Sequence, residues 1–150
     1  MSNSVRYDGW CIVTGQDFRQ KFFIKDPTLP KIPNPKYNVR LGDSPHNSKE
    51  IYQPKDLTNY TAQMDIRESD SRSGTLLAHL EVGLGITLGT PDPADGSVEL
   101  FIDNTVTNSQ PFLDFTGNES FFDIFMAEAG GDTQRLFFGM IKIQGSITDV

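Results

Sequence analysis

Cysteine is nearly missing from this chain: Cys11 is the single thiol. That excludes an internal disulfide and any metal site built on several thiolates, and it fits synthesis in a reducing compartment. Positive charge is also scarce. Thirteen Lys and Arg against twenty Asp and Glu give a formal net charge of −7, with no run of basic residues. The phosphate neutralisation that drives nucleic-acid binding therefore has no footing, nor does attraction to an anionic membrane surface. No apolar stretch approaches the roughly 18 residues that a spanning helix requires, and residues 1–7 lack the apolar core of a signal peptide. Histidine is reduced to His46 and His79, and tryptophan to Trp10.

Phenylalanine is what the chain has in quantity, with eleven against four tyrosines. Large rings supply the burial that a thin β-protein needs. At 150 residues the chain fits one domain, since single cores of about 100 to 150 residues are the commonest size.

Residues 10–24 read as two strands around a Thr14-Gly15-Gln16-Asp17 bend, with Phe18, Gln20, Phe22 and Ile24 on one parity. The composition then changes. Residues 25–55 contain Pro27, Pro30, Pro33, Pro35, Pro45 and Pro54, six of the nine prolines. Proline donates nothing to a ladder, so this proline-rich insertion is no central strand. Two readings stay open: a loop in solvent, or an extended arm lying along a neighbouring subunit, anchored by apolar residues such as Ile32, Tyr37, Val39, Leu41, Ile51 and Tyr52.

From Tyr60 the alternation is plain. Tyr60, Ala62, Met64 and Ile66 face one way; Thr61, Gln63, Asp65 and Arg67 face the other. Further strands are expected over residues 76–82, 86–88 and 98–102, then a helical turn near residues 107–110. A final hairpin joins residues 121–128 to 134–144 through Ala129-Gly130-Gly131-Asp132. Asn59-Tyr60-Thr61 and Asn118-Glu119-Ser120 match the glycosylation sequon and are read as turns. Seven or eight short strands with frequent turn signals predict an all-β protein: a single antiparallel two-sheet β-sandwich spanning residues 1–150, with 25–55 inserted.

Chemistry is hard to place on this pattern. A Ser-His-Asp triad drawn through His46 or His79 has no nucleophile context. Asp92, Asp95, Asp103 and Asn104 offer oxygens to calcium, but their spacing is not that of an EF-hand and suits turn formation. Glu119, Asp123 and Glu128 read as surface carboxylates rather than a glycosidase pair. Gly83-Leu84-Gly85 and Gly130-Gly131 lack the context of phosphate loops. No catalytic, cofactor-binding or metal-ligating residue is expected.

Parity in the last hairpin is more informative. If Lys142 and Gln144 face water, Ile141 and Ile143 face inward and Phe138 and Met140 outward. If Asp123 is outward, so are Phe121 and Phe125, leaving Phe122, Ile124 and Met126 to the core. An apolar patch of that size on the outside marks an interface unless a bulge near Gly139 or the proline-rich arm covers it. The expected interface residues are thus Phe121, Phe125, Phe138 and Met140, with Tyr37, Val39 and Leu41 from the arm.

An ordered set of short segments resembles the small immunoglobulin-like β-sandwich domains of tailed-phage virion proteins, and is similar to the N-terminal domain of baseplate upper proteins. The set comprises Gly15-Gln16-Asp17-Phe18, residues 56–67, Gly85-Ile86-Thr87-Leu88, Gly96-Ser97-Val98-Glu99-Leu100, Phe122-Asp123-Ile124-Phe125-Met126, and residues 135–139 continuing to Ile147-Thr148. The family joins its second and third strands by a short connection, where this chain has residues 25–55. The resemblance implies a non-enzymatic structural component of a bacteriophage virion, in the tail, baseplate or neck. It would be made in the host cytoplasm, hold other virion structural proteins and form a homo-oligomer in a symmetric assembly, with no nucleic acid, membrane or cofactor as partner. Two alternatives are a carbohydrate-binding module, with Phe121, Phe125 and Trp10 stacking on sugars, and a head-surface decoration protein.

Overall fold

The computed structural model describes residues 4–34, 50–89 and 95–146. Two short segments on the way into the fold, β1 (Val5–Arg6) and β2 (Trp10–Val13), precede the first long strand, β3 (Phe18–Phe23). The proline-rich stretch follows with β4 (Lys25–Asp26), β5 (Ile32–Pro33), β6 (Glu50–Ile51) and β7 (Gln53–Pro54). The rest is β8 (Tyr60–Arg67), β9 (Leu76–Val82), β10 (Gly85–Leu88), β11 (Ser97–Ile102), a one-turn helix α1 (Asn104–Thr107), a 3-10 turn (Phe112–Phe115), β12 (Glu119–Glu128) and β13 (Thr133–Gln144).

Nine of these strands share one sheet, ordered β1-β13-β12-β8-β9-β10-β11-β3, with β2 also on β13. The all-β expectation holds. The ladder differs from two purely antiparallel sheets, because β1 and β2 both join β13 in parallel and β10 joins β9 in parallel. The N-terminal segment runs alongside the last strand in the same direction, which no local alternation of side chains reveals. The sheet curls round one core that takes Ile12 from β2, Met64 and Ile66 from β8, Leu100 from β11, Ile124 from β12 and Ile141 and Ile143 from β13, all 0–1 % exposed.

Aromatic rings close the gap between the two ends of the sheet. Trp10 on β2 lies 6.1 Å from Phe18 and 6.4 Å from Phe22, both on β3, and 4.9 Å from Phe122, while Phe22 stands edge-on to Phe137 at 5.0 Å. Polar contacts reinforce the closure. Asp103 caps α1 by accepting from the Thr105 amide, which starts the helix upstream of the expected turn. Buried Thr107 then donates to the Gln16 carbonyl at 2.8 Å and accepts from the Gly15 amide at 3.2 Å, tying α1 to the β2–β3 bend.

The described part of the insertion is a two-stranded antiparallel ribbon. Lys25 pairs with Pro54 and Asp26 with Gln53, then Ile32 with Ile51 and Pro33 with Glu50. Gln53 also donates to the Pro30 carbonyl at 2.7 Å, and the Lys31 ammonium lies 4.8 Å from the Tyr52 ring centroid. Its root is fixed to the sheet where the Lys55 amide donates to Ile24 and the Ile24 amide to Gly96. Tyr37, Val39 and Leu41, expected in the arm interface, lie outside the described residues, as do His46 and Asp92.

Gly139 is required by close approach. The chain between β1 and β2 runs along the edge of β13 and presses on this residue, where a Cβ would overlap the Tyr7 carbonyl oxygen. Asp8 consolidates this contact by accepting from the Met140 amide at 2.8 Å. Gly139→Ala is therefore expected to peel β1 from β13 and to cost about 2–4 kcal/mol in denaturant unfolding. Amide exchange at residues 5–8 should accelerate. By contrast, Gly130→Ala, where nothing crowds the site and only the positive φ of 78° is at issue, should cost about 1 kcal/mol.

Candidate functional site

The outward face of β13, β12 and β8, bordered by Arg6 of β1 and by the β8–β9 turn, forms a groove of about 670 Å³. Strand register assembles it row by row. Along β12, Phe121, Asp123 and Phe125 point away from the core, because Ser120, Phe122, Ile124 and Met126 are buried on the other side. Across the sheet, Asp123 faces Phe138 on β13 and Asp65 on β8, and Asp65 in turn faces His79 on β9. Phe121 lies between Met140 and Arg67, and Phe125 between Arg135 and Gln63.

The parity expectation for Phe121, Phe125, Phe138 and Met140 is met in direction: all four are partly buried on the outer face. Three of them, Phe121, Phe125 and Phe138, line the groove. What strand parity misses is the charge that surrounds them. Four of the six arginines in the sequence, Arg6, Arg67, Arg72 and Arg135, line the same groove. The Arg135 guanidinium lies 4.1 Å from the Phe138 ring centroid and that of Arg6 5.9 Å from it.

Arg135 and Phe138 are three positions apart, so simple alternation sends them to opposite faces. A register shift in β13 opposite Ile124/Phe125 leaves Leu136 as an extra residue, packed against the core, and returns Arg135 to the outside. A similar shift in β9 buries Leu77 and leaves both Leu76 and His79 outward. Arg67 was readable from the outward parity of β8; the bulge in β13 that returns Arg135 to the same face carries no local signature.

Asp123 is the unusual group. Its burial among the phenylalanines pushes its carboxyl above the ordinary value near 3.8, and the neighbouring Asp65 carboxylate pushes it further, against the opposing pull of Arg135, Arg67 and Arg72. Asp65 is better served. It bonds His79 Nδ1 at 2.5 Å and Arg67 Nη2 at 3.3 Å. His79 is raised above its ordinary 6.5, first by the hydrogen bond to Asp65 and additionally by Glu81, whose carboxylate is 3.5 Å from Nε2. Arg67 also donates to the Gly74 carbonyl at 3.0 Å, holding the β8–β9 turn against the groove.

The remaining candidates occupy structural positions. Asp95 accepts from the Ser97 amide at 2.7 Å, and Asp103 is the α1 cap, so both serve turns. Glu119 and Glu128 stand at the exposed ends of β12, away from Asp123 at its middle. Among the described residues, no group of three or more His, Cys, Asp and Glu is arranged to hold a metal ion. No protein-family model matches the chain, and no curated protein matches it.

Two pH effects follow. A carboxyl raised in the folded state binds protons more readily there than when unfolded, so Asp123 favours folding at acid pH and opposes it once ionised. Asp123→Asn should thus stabilise the protein at pH 7 by about 1 kcal/mol or less. That gain should shrink below the ordinary carboxylate value, as read from melting curves at several pH values. For His79 the pKa is raised, so its contribution is full below 6.5 and declines as pH rises through the higher folded value. His79→Gln should remove that slope, at no more than about 0.5 kcal/mol given its exposure to solvent.

Proposed function

We propose that this protein is a non-enzymatic structural component of a bacteriophage virion, of the tail, baseplate or neck, that holds neighbouring virion proteins. The observation that supports a holding role is the groove: Phe121, Phe125 and Phe138 stand on the outer face of a sheet that already has its own core. Rings placed there are partly withdrawn from water without contributing to the interior, and they gain further burial only against another molecule. The two-stranded ribbon that extends from Ile24 and Lys55 provides a second point of attachment.

The virion setting rests on the resemblance of the strand segments to immunoglobulin-like domains of tailed-phage proteins. The curled sheet suits that comparison when its β9-β10-β11-β3 half and its β13-β12-β8 half are taken as facing layers, bridged by Trp10. In a symmetric assembly the chain would form a homo-oligomer, and the groove face and the ribbon would hold the neighbouring virion proteins.

Phe125→Asp with Phe138→Asp tests this reading. Both side chains lie outside the core, so the variant should keep its circular dichroism spectrum and unfold within about 1–2 kcal/mol of the parent. It should lose oligomerisation in size-exclusion chromatography with light scattering, and lose incorporation into particles. A parent chain that is a stable monomer and binds glycans would instead indicate a carbohydrate-binding module.

A further inference from the structure

The groove also has a chemical preference, and the argument for it rests on the reading of this face as an interface. The protein has a formal charge of −7, yet four arginines are gathered here. Two of them are committed within the chain. Arg67 is held by Asp65 and the Gly74 carbonyl, and Arg6 is 2.9 Å from Asp8. The other two keep donors to spare. Arg135 makes one long bond, 3.4 Å to Ser4 Oγ, and Arg72 has no hydrogen bond or ion pair among the described residues.

The Arg135 guanidinium lies 4.1 Å from the Phe138 ring centroid, which holds it at the groove wall. A guanidinium held this way presents a fork of N–H donors matched to a carboxylate. Arg72 sits in the turn between β8 and β9, which borders the same groove. The rings of Phe121 and Phe125 line the same groove.

We propose that this groove takes an extended acidic segment of a partner protein, which sends carboxylates to Arg135 and Arg72 and lays an apolar side chain on Phe121 and Phe125. Charge complementarity selects this occupant. Asp65 is neutralised by His79 and Arg67, which leaves Asp123 on the floor and Asp70 in the β8–β9 turn as the lining carboxylates that oppose an acidic ligand, against the two arginines with donors to spare. A second copy offering the same concave face would meet this one across a void. An acidic glycan would set its hydroxyls on three phenylalanine rings that return no hydrogen bonds.

Asp123 makes the inference testable by sign. The full chain is titrated, with NMR detection, with a blocked octapeptide alternating glutamate and leucine, with its lysine–leucine counterpart, and with oligogalacturonate. The glutamate–leucine peptide should move resonances of Phe121, Phe125 and Phe138 and weaken in about 0.5 M salt, where charges are screened within several ångströms. Arg72→Gln together with Arg135→Gln should weaken it about tenfold or more, since each charge-assisted pair contributes substantially. Arg72→Gln alone, in an exposed turn, should weaken it without disturbing the fold. Asp123→Asn should tighten it several-fold.

Equal or tighter binding of the lysine–leucine peptide would overturn the inference, as would weaker binding on Asp123→Asn or preference for oligogalacturonate. If no probe moves the groove resonances while Phe125→Asp with Phe138→Asp still abolishes assembly, the acidic segment is ruled out and the interface reading stands. If that double variant assembles normally, the interface reading itself fails.

Discussion

Closure of the sheet by the rings around Trp10 is the constraint on which the rest of the structure depends. The strands at the two ends, β2 and β3, are consecutive in the chain but take their hydrogen bonds from different neighbours, β13 and β11. Without a contact between them the sheet would be an open ribbon with one wet face. Trp10 reaches Phe18, Phe22 and Phe122 at once, so a single side chain joins both ends to the middle of the sheet. Aromatic pairs at these separations add on the order of 1 kcal/mol each beyond the area they bury. Gly139 and Asp8 complete the arrangement by letting the N-terminal chain lie along β13 at van der Waals distance.

The outside carries a cost of its own. The outer face of β12 and its neighbours becomes a groove because Arg6 of β1 and the β8–β9 turn border it, and the register shift in β13 turns Arg135 into it. The result is a patch unlike the rest of this acidic surface, with arginines above rings and a desolvated carboxylate between them. Asp123 ionises reluctantly because rings have displaced its water, while the cations that would stabilise it are partly engaged elsewhere. Such a group destabilises the free protein slightly, which is the usual mark of a surface arranged for something other than its own fold.

The long strands were readable because alternation has a period of two and a buried face enforces it. Tyr60 to Arg67 and Phe121 to Met126 show that pattern cleanly, and their observed burial follows it. The two-residue strand Val5–Arg6 was not readable, since two residues have no period. Nor were the ribbon pairs within the proline-rich stretch, where pairing depends on which distant residue returns to meet them.

The candidate site divides along the same line. By itself the sequence determined the β class, the rings that leave the core along β12 and at Phe138, and the exclusion of an internal disulfide, because these follow from composition and from parity within one strand. Only the tertiary structure decided that β1 and β2 run parallel to β13, that the sheet is mixed, and that Arg6, Arg67, Arg72 and Arg135 share one groove. Those features depend on register between strands distant in sequence and on a single extra residue, Leu136, whose bulge reverses the face that Arg135 presents. One residue of slip inverts every side chain beyond it, and nothing local in the chain announces where the slip occurs.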